Sequence, residues 1–279
     1  MTVLALQGVR YRYAGATDWA LDGIDLEVGA GEVVGITGAN DAGKSTLCLV
    51  AAGLAPSSIG GKLEGSVLIG GTESRELAPH AAAQRCGILF QNAATQLTGT
   101  TVTVWEEVAF GPRNLGLDLD AIIERVEWAL RLARVEHLAE RQPDRLSGGQ
   151  AQLVALASVL ALRPAVLILD EPTSQLDPAG TTLVGETLAG LARDAGTALL
   201  VVEHKTDLLA RIADRVIVIA AGRVALDGAA SVVLADPHLV ELGADPPAAV
   251  RLRRLAEEAG VGPAIPRDLA VTSAPAVGQ

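Results

Sequence analysis

Aromatic residues are scarce in this sequence, at 3% of 279 residues. Ala, Val and Leu must therefore fill the core, which suits helices packed on a parallel sheet better than an antiparallel sandwich. Cysteine is nearly absent: Cys48 and Cys86 are the two present. Two thiols do not make a disulfide framework, so the chain reads as a protein of a reducing compartment with small buried cysteines. Positive charge is in the minority, with 22 Lys and Arg against 33 Asp and Glu and a net charge of -11. The basic residues are scattered and form no stripe, so nucleic acid is not an expected partner. Long apolar runs are also missing. The longest candidate, Leu153 to Leu162, stops at Arg163-Pro164, short of the ~18 residues needed to cross a bilayer. A membrane role would require docking onto a separate membrane subunit. The opening stretch, Met1 to Val9, reads as a strand and not as a secretory leader.

Hydrophobic residues make up 49% of the chain and charged residues 20%, the balance of a globular protein. Short apolar runs alternate with helical patterns. Glu32 to Thr37, Ala165 to Leu169, Ala198 to Val202 and Arg215 to Ile219 read as buried strands. Lys44 to Gly53, Thr181 to Ala195 and Lys205 to Ile212 read as helices between them. That order predicts an α/β domain around a largely parallel sheet. Asp118 to Val135 is amphipathic, with Ile122, Val126, Ala129, Leu130 and Ala133 on one face, and reads as part of a helical insertion. After about Ser231 prolines punctuate the chain, with one convincing helix, Ala248 to Ala259, and a frayed tail from Val271.

Three local patterns carry chemistry. Gly38-Ala39-Asn40-Asp41-Ala42-Gly43-Lys44-Ser45-Thr46 fits G-x-x-x-x-G-K-[ST] between a buried strand and a helix. Backbone N–H groups of such a loop converge on phosphate oxygens, and the helix N-terminus adds partial positive charge. Lys44 would reach the β- and γ-phosphates, and Ser45 would offer its hydroxyl to Mg²⁺. Leu167-Ile168-Leu169-Asp170-Glu171 places two carboxylates at the C-terminal end of a strand, where open α/β folds bind ligands. Asp170 would hold Mg²⁺ through its water shell, and Glu171 would orient and deprotonate an attacking water. Leu146-Ser147-Gly148-Gly149-Gln150 opens an apolar helix and forms a second potential anion site.

With those three patterns in this order, the chain resembles the ATP-binding cassette family, whose signature is LSGGQ. The resemblance covers residues 1 to about 230. It implies an α/β P-loop fold: a RecA-like core with an N-terminal antiparallel β portion, a helical subdomain at about 92–160, and a short C-terminal extension at 231–279 for dimerisation. It also assigns further roles. Gln91 resembles the glutamine that senses the γ-phosphate and Mg²⁺. Ser174-Gln175-Leu176-Asp177 resembles the D-loop, with Ser174 and Asp177 its polar members. His204 resembles the switch histidine. Tyr13 resembles the aromatic that stacks on adenine, with Tyr11 as the structural alternative. Ser147 to Gln150 would clamp the ATP held by Lys44 of a second subunit, in a homodimer or a heterodimer with a related ATPase.

A narrower resemblance is to the ATPases of energy-coupling factor importers. It lies in Gln96-Leu97, in Val104 to Pro112, in Val202-Glu203-His204 and in the stretch from Leu242 to Leu252. It implies an ATP- and Mg²⁺-dependent subunit on the cytoplasmic face of the membrane, bound to a transmembrane coupling protein and a substrate-binding membrane protein. Gln96, Leu97, Glu106 and Glu107 would form the docking groove, with the two glutamates as free carboxylates for Arg. Another importer or exporter, or a non-hydrolysing regulatory module, is the alternative. Three positions depart from the family pattern: Asp41 where Gly is usual, Leu153 for Arg, and Gln175 for Ala. Asp tolerates left-handed backbone, and its side chain is expected to bond within the loop.

Overall fold

The computed structural model describes residues 1–259. Strands β1 (Thr2–Arg12), β2 (Leu21–Gly29) and β3 (Val33–Thr37) lead into helix α1 (Lys44–Ala51), then β4 (Lys62–Ile69) and β5 (Thr72–Glu73). Next come α2 (Pro79–Arg85), β6 (Cys86–Leu89), α3 (Val104–Asn114), α4 (Leu119–Leu132) and α5 (Gly148–Leu160). The chain then alternates through β7 (Val166–Asp170), α6 (Pro178–Ala195), β8 (Ala198–Val202), α7 (Thr206–Ile212) and β9 (Arg215–Ala220). It finishes with β10 (Arg223–Ala229), α8 (Ala230–Val233) and α9 (Ala248–Glu258).

Two sheets result. One is antiparallel, in the order β2-β1-β4-β5. The other runs β10-β9-β3-β8-β7-β6 and is parallel except for β10, which pairs antiparallel with β9. Every residue of β3, β7 and β8 is buried, because both faces of a parallel sheet are covered and its strands must be apolar throughout. Side chains alternate between the faces. Leu167 and Leu169 of β7 join a core with α3, α4, α5 and α6. Val166 and Ile168 join a second core with α1 and the antiparallel sheet. Few of these positions are aromatic; aliphatic side chains fill both clusters, as the composition requires. Cys48 and Cys86 sit in the second core. Burial holds the Cys48 thiol well above its usual range and pushes Cys86 up to about 12, so both are inert packers.

Helices α3, α4 and α5 pack on one another beside the sheet. The predicted apolar face of α4 is buried at Ile122, Val126, Ala129 and Leu130, with Ala133 just beyond its end. Asp118, expected inside the helix, is its N-cap and accepts from the Ala121 N–H at 2.8 Å.

The segment from 231 was expected to be an appendage, but its first part belongs to the main core. Leu234, Leu239 and Ala244 are buried in the same cluster as α5 and α6. The Ala39 N–H donates to the Leu242 carbonyl at 3.2 Å, and the Thr206 hydroxyl donates to the Asp245 carbonyl at 2.6 Å. The segment therefore straps the phosphate loop to α7. Helix α9 has no buried residue, and Leu252 and Leu255 are exposed on it. The expected tail from Val271 lies outside the described residues.

Candidate nucleotide site

The loop from Gly38 to Gly43 leaves β3 and enters α1. Gly38 has φ 138 and Gly43 φ 105. A Cβ at Gly43 would stand 2.6 Å from the Ala20 carbonyl oxygen, and one at Gly38 would overlap the Ile219 carbonyl; only glycine fits at both. Asp41 adopts φ 61, a region that Asp enters more easily than most residues. Its side chain is exposed and, contrary to expectation, makes no hydrogen bond among the described residues.

Lys44 is 6% exposed. Its Nζ donates to the carbonyls of Gly38 at 3.0 Å and Ala39 at 2.6 Å. Burial lowers its pKa, while Glu171, Asp170 and Asp41 oppose that shift. Asp170, the last residue of β7, is also 6% exposed. Burial raises its pKa above the usual carboxylate range, against a hydrogen bond from Ser45. Its Oδ1 is buried without a hydrogen-bond partner among the described residues. An unpaired buried carboxylate oxygen is costly, and beside the Ser45 hydroxyl it suits a divalent cation with its bound water.

Glu171 turns away from the strand with φ 51. Two side chains hold it: the Gln91 Nε2 donates to Oε2 at 2.8 Å, and the His204 Nε2 lies 3.3 Å from Oε1. Gln91 follows β6 and His204 follows β8, so three strand ends converge on one carboxylate. A cavity of about 670 Å³ is lined by Tyr13, Ala20, Asn40, Asp41, Gly43, Lys44, Ser45, Thr46, Gln91, Glu171 and His204. Ala20 is the one member that the sequence did not single out; an Ala carries no local signal. Tyr13 is 38% exposed at this cavity, and its hydroxyl lies 3.0 Å from the Thr46 hydroxyl. Tyr11 is fully buried and donates to the Gly60 carbonyl at 2.6 Å, so it is the core residue of the pair.

The structure does not bring Ser147, Gly148, Gly149 or Gln150 to this cavity. Ser147 caps α5 instead. Its hydroxyl accepts from the Gln150 N–H at 3.3 Å, and the Gln150 Oε1 accepts from the Ser147 N–H at 3.0 Å. Ser147 and Gly148 are exposed. Among the D-loop residues, Asp177 caps α6 by accepting from the Gly180 N–H at 2.7 Å, and the Ser174 hydroxyl reaches the Gln91 carbonyl at 3.5 Å. Gln175 lies against Gly148, where a Cβ would collide with its side-chain oxygen.

The expected docking carboxylates are not free. Glu106 completes a capping box on α3: its Oε2 accepts from the N–H groups of Val102 and Thr103, and its own N–H donates to the Thr103 hydroxyl. Glu107 is 2% exposed and accepts from the Thr98 N–H at 2.7 Å, the Thr98 hydroxyl at 2.7 Å and the Thr101 hydroxyl at 2.5 Å. Gln96 is turned inward, bonding the Phe90 N–H and the Ile88 carbonyl, both at 2.9 Å. Leu97 packs on the core. Two large apolar side chains of this stretch are exposed, Val102 at 65% and Phe110 at 43%, among exposed polar ones such as Thr95, Thr100 and Arg113.

A phosphate loop, a buried strand-end aspartate and a bracketed glutamate on one parallel sheet define a P-loop nucleotide-hydrolysing α/β domain. The chain belongs to the ABC transporter family, whose sequence profile matches residues 21–174. It is an ATPase and the ATP-binding subunit of a transporter. Among its relatives is a protein of Pyrococcus horikoshii, provisionally described as an ABC transporter ATP-binding protein. It is 42% identical over 82% of this chain and 80% of its own length. The energy-coupling factor transporter ATP-binding protein of Bacillus licheniformis is 35% identical over 93% of this chain and 90% of its own. Among solved structures, cbiO1 from Clostridium perfringens, part of the ABC transporter complex cbiONQ, superposes with a TM-score of 0.75. It is 31% identical over 93% of this chain and 99% of its own. A dimeric ATP-binding cassette in a post-hydrolysis state with ADP and phosphate superposes with a TM-score of 0.72. It is 26% identical over 81% of this chain and 98% of its own. The described residues contain no helix long and apolar enough to cross a membrane.

Proposed function

We propose that this chain energises an energy-coupling factor type importer of a small solute, a vitamin or a cobalt or nickel ion, from the cytoplasmic face of the membrane. The observation that carries hydrolysis is Glu171 held between Gln91 and His204 beside Lys44 and Ser45. Glu171 orients water and takes its proton. Lys44 exchanges the Gly38 and Ala39 carbonyls for phosphate oxygens, and the backbone N–H groups of residues 40–46 cradle the rest of the triphosphate. Tyr13 stacks on the adenine. Ser45, Asp170 and Gln91 would hold Mg²⁺, which neutralises charge on the phosphate oxygens when bound. Residues 147–150, of which Ser147 and Gly148 are exposed, serve the ATP of a second subunit, in a homodimer or a heterodimer with a related ATPase. Helix α9, with Leu252 and Leu255 exposed, adds a dimer contact.

The membrane partner docks on the segment that follows Gln91, with the exposed Val102 and Phe110 as its apolar anchors, since Glu106 and Glu107 are occupied internally. Val102→Asp with Phe110→Asp should leave ATP binding intact in the isolated chain and release it from the membrane subunits. Co-purification from solubilised membranes is the test; full recovery of the complex with the double variant would place docking elsewhere.

A further inference from the structure

Glu203 sits between the end of β8 and His204 and is 2% exposed. It does not line the nucleotide cavity. Its Oε1 accepts from the backbone N–H groups of His204 at 2.9 Å and Lys205 at 3.1 Å. Its Oε2 accepts from the Thr173 hydroxyl at 2.6 Å. Thr173 is fully buried and lies between Glu171 and the D-loop residue Ser174. The same segment is held a second time, by the Lys205 Nζ donating to the Thr173 carbonyl at 2.8 Å. The backbone adds two more ties. The Glu203 N–H donates to the Ile36 carbonyl of β3 at 3.0 Å, and the Glu171 N–H donates to the Val202 carbonyl at 2.9 Å.

A buried carboxylate is expensive unless donors surround it. Here three donors converge on it, and they come from two different loops. One loop carries His204; the other carries Glu171 into the D-loop. Removing the carboxylate would leave two backbone amides and a hydroxyl unsatisfied, and would remove the side-chain bond that joins the His204 loop to the Thr173 hydroxyl.

We propose that Glu203 is a positioning residue for ATP hydrolysis. Its carboxylate fixes His204 against Glu171 and couples the switch loop to the D-loop through Thr173. A displacement of Ser174 to Asp177 is thereby passed to His204. The inference rests on the ATPase activity of the chain and not on the type of transporter it serves.

The test uses the full chain. Glu203→Ala should lower kcat for MgATP at least tenfold and leave KM within threefold. Glu203→Gln keeps an acceptor for the two amides, and its Nε2–H can donate to the Thr173 hydroxyl; kcat should return to within threefold of wild type. The sequence holds four histidines, so the imidazole resonance of His204 is assignable by its loss in His204→Gln. That resonance should move in Glu203→Ala. It should also move in Thr173→Val, although Thr173 makes no hydrogen bond to His204 among the described residues. The proposal is overturned if Glu203→Ala keeps kcat within twofold of wild type, or if kcat falls while the His204 resonance stays in place. A Gln variant as slow as the Ala variant also contradicts it. Should Glu203→Ala not fold, Thr173→Val decides the matter: a moved resonance with kcat down at least threefold supports the coupling, and an unmoved one overturns it.

Discussion

Asp41 stands in the phosphate loop where its charge opposes the ligand, so Asp41→Gly measures how strongly. The backbone effects nearly cancel. Glycine relieves a left-handed φ of 61, a gain of about 1 kcal/mol, and loses about 0.5–1 kcal/mol to the greater freedom of the unfolded chain. The electrostatic effect is modest because the carboxylate is exposed. At roughly 8 Å in water, one pair of unit charges interacts by about 0.5 kcal/mol. MgATP carries about two net negative charges, so the repulsion is about 1 kcal/mol before screening and a fraction of that at physiological salt. Asp41 is also the weakest of the three carboxylates acting on Lys44, after Glu171 and Asp170. Titration calorimetry should therefore find ATP bound about two- to fivefold more tightly by Asp41→Gly at low salt. The gain should shrink towards nothing at high salt. A gain beyond tenfold, or about 1.4 kcal/mol, or one that salt does not touch, would mean that the carboxylate faces the phosphates directly.

Two further outcomes follow from buried carboxylates. Glu107→Ala should strand the Thr98 and Thr101 donors and cost about 2 kcal/mol of stability, read as a lower urea midpoint with ATP affinity preserved; a loss under about 0.5 kcal/mol would show that the 98–101 loop does not depend on it. Asp170→Asn should stabilise the nucleotide-free protein at neutral pH by about 1 kcal/mol, the order of desolvating one polar group. Because folding raises the Asp170 pKa, its ionised form is the costly one. The gain should be full above that raised value and fade as pH falls through it toward the ordinary carboxylate range. Thermal melts that show no gain at neutral pH, or the same gain in acid, would contradict this.

The parts of the site that were legible in the sequence are local. Gly38 to Thr46 and Leu167 to Glu171 each fold by their own backbone geometry, so the strand, turn and helix could be read from consecutive residues. What escaped depends on distant chain. Glu106 carried a readable signal, since Thr103-x-x-Glu106 is a capping box, yet its acidity suggested a surface contact. Glu107 gave no such signal, because its burial follows from Thr98 and Thr101 folding over it. Residues 234–247 looked like a proline-punctuated tail. Leu239 is nonetheless fully buried, and the Leu242 carbonyl takes the Ala39 N–H from the far end of the sequence. Glu203 was noticed only as a neighbour of His204; its partner Thr173 is 30 residues away.

The central claim is that Glu171, held by Gln91 and His204, is the base of a working ATPase. Glu171→Gln keeps the shape and removes the carboxylate. General-base catalysis is worth roughly 10²–10⁴-fold, so phosphate release by the purified protein with its partners should fall by at least two orders of magnitude. ATP should still bind, and the ATP-bound dimer should persist on a sizing column. A Gln variant that releases phosphate at the wild-type rate would contradict the account.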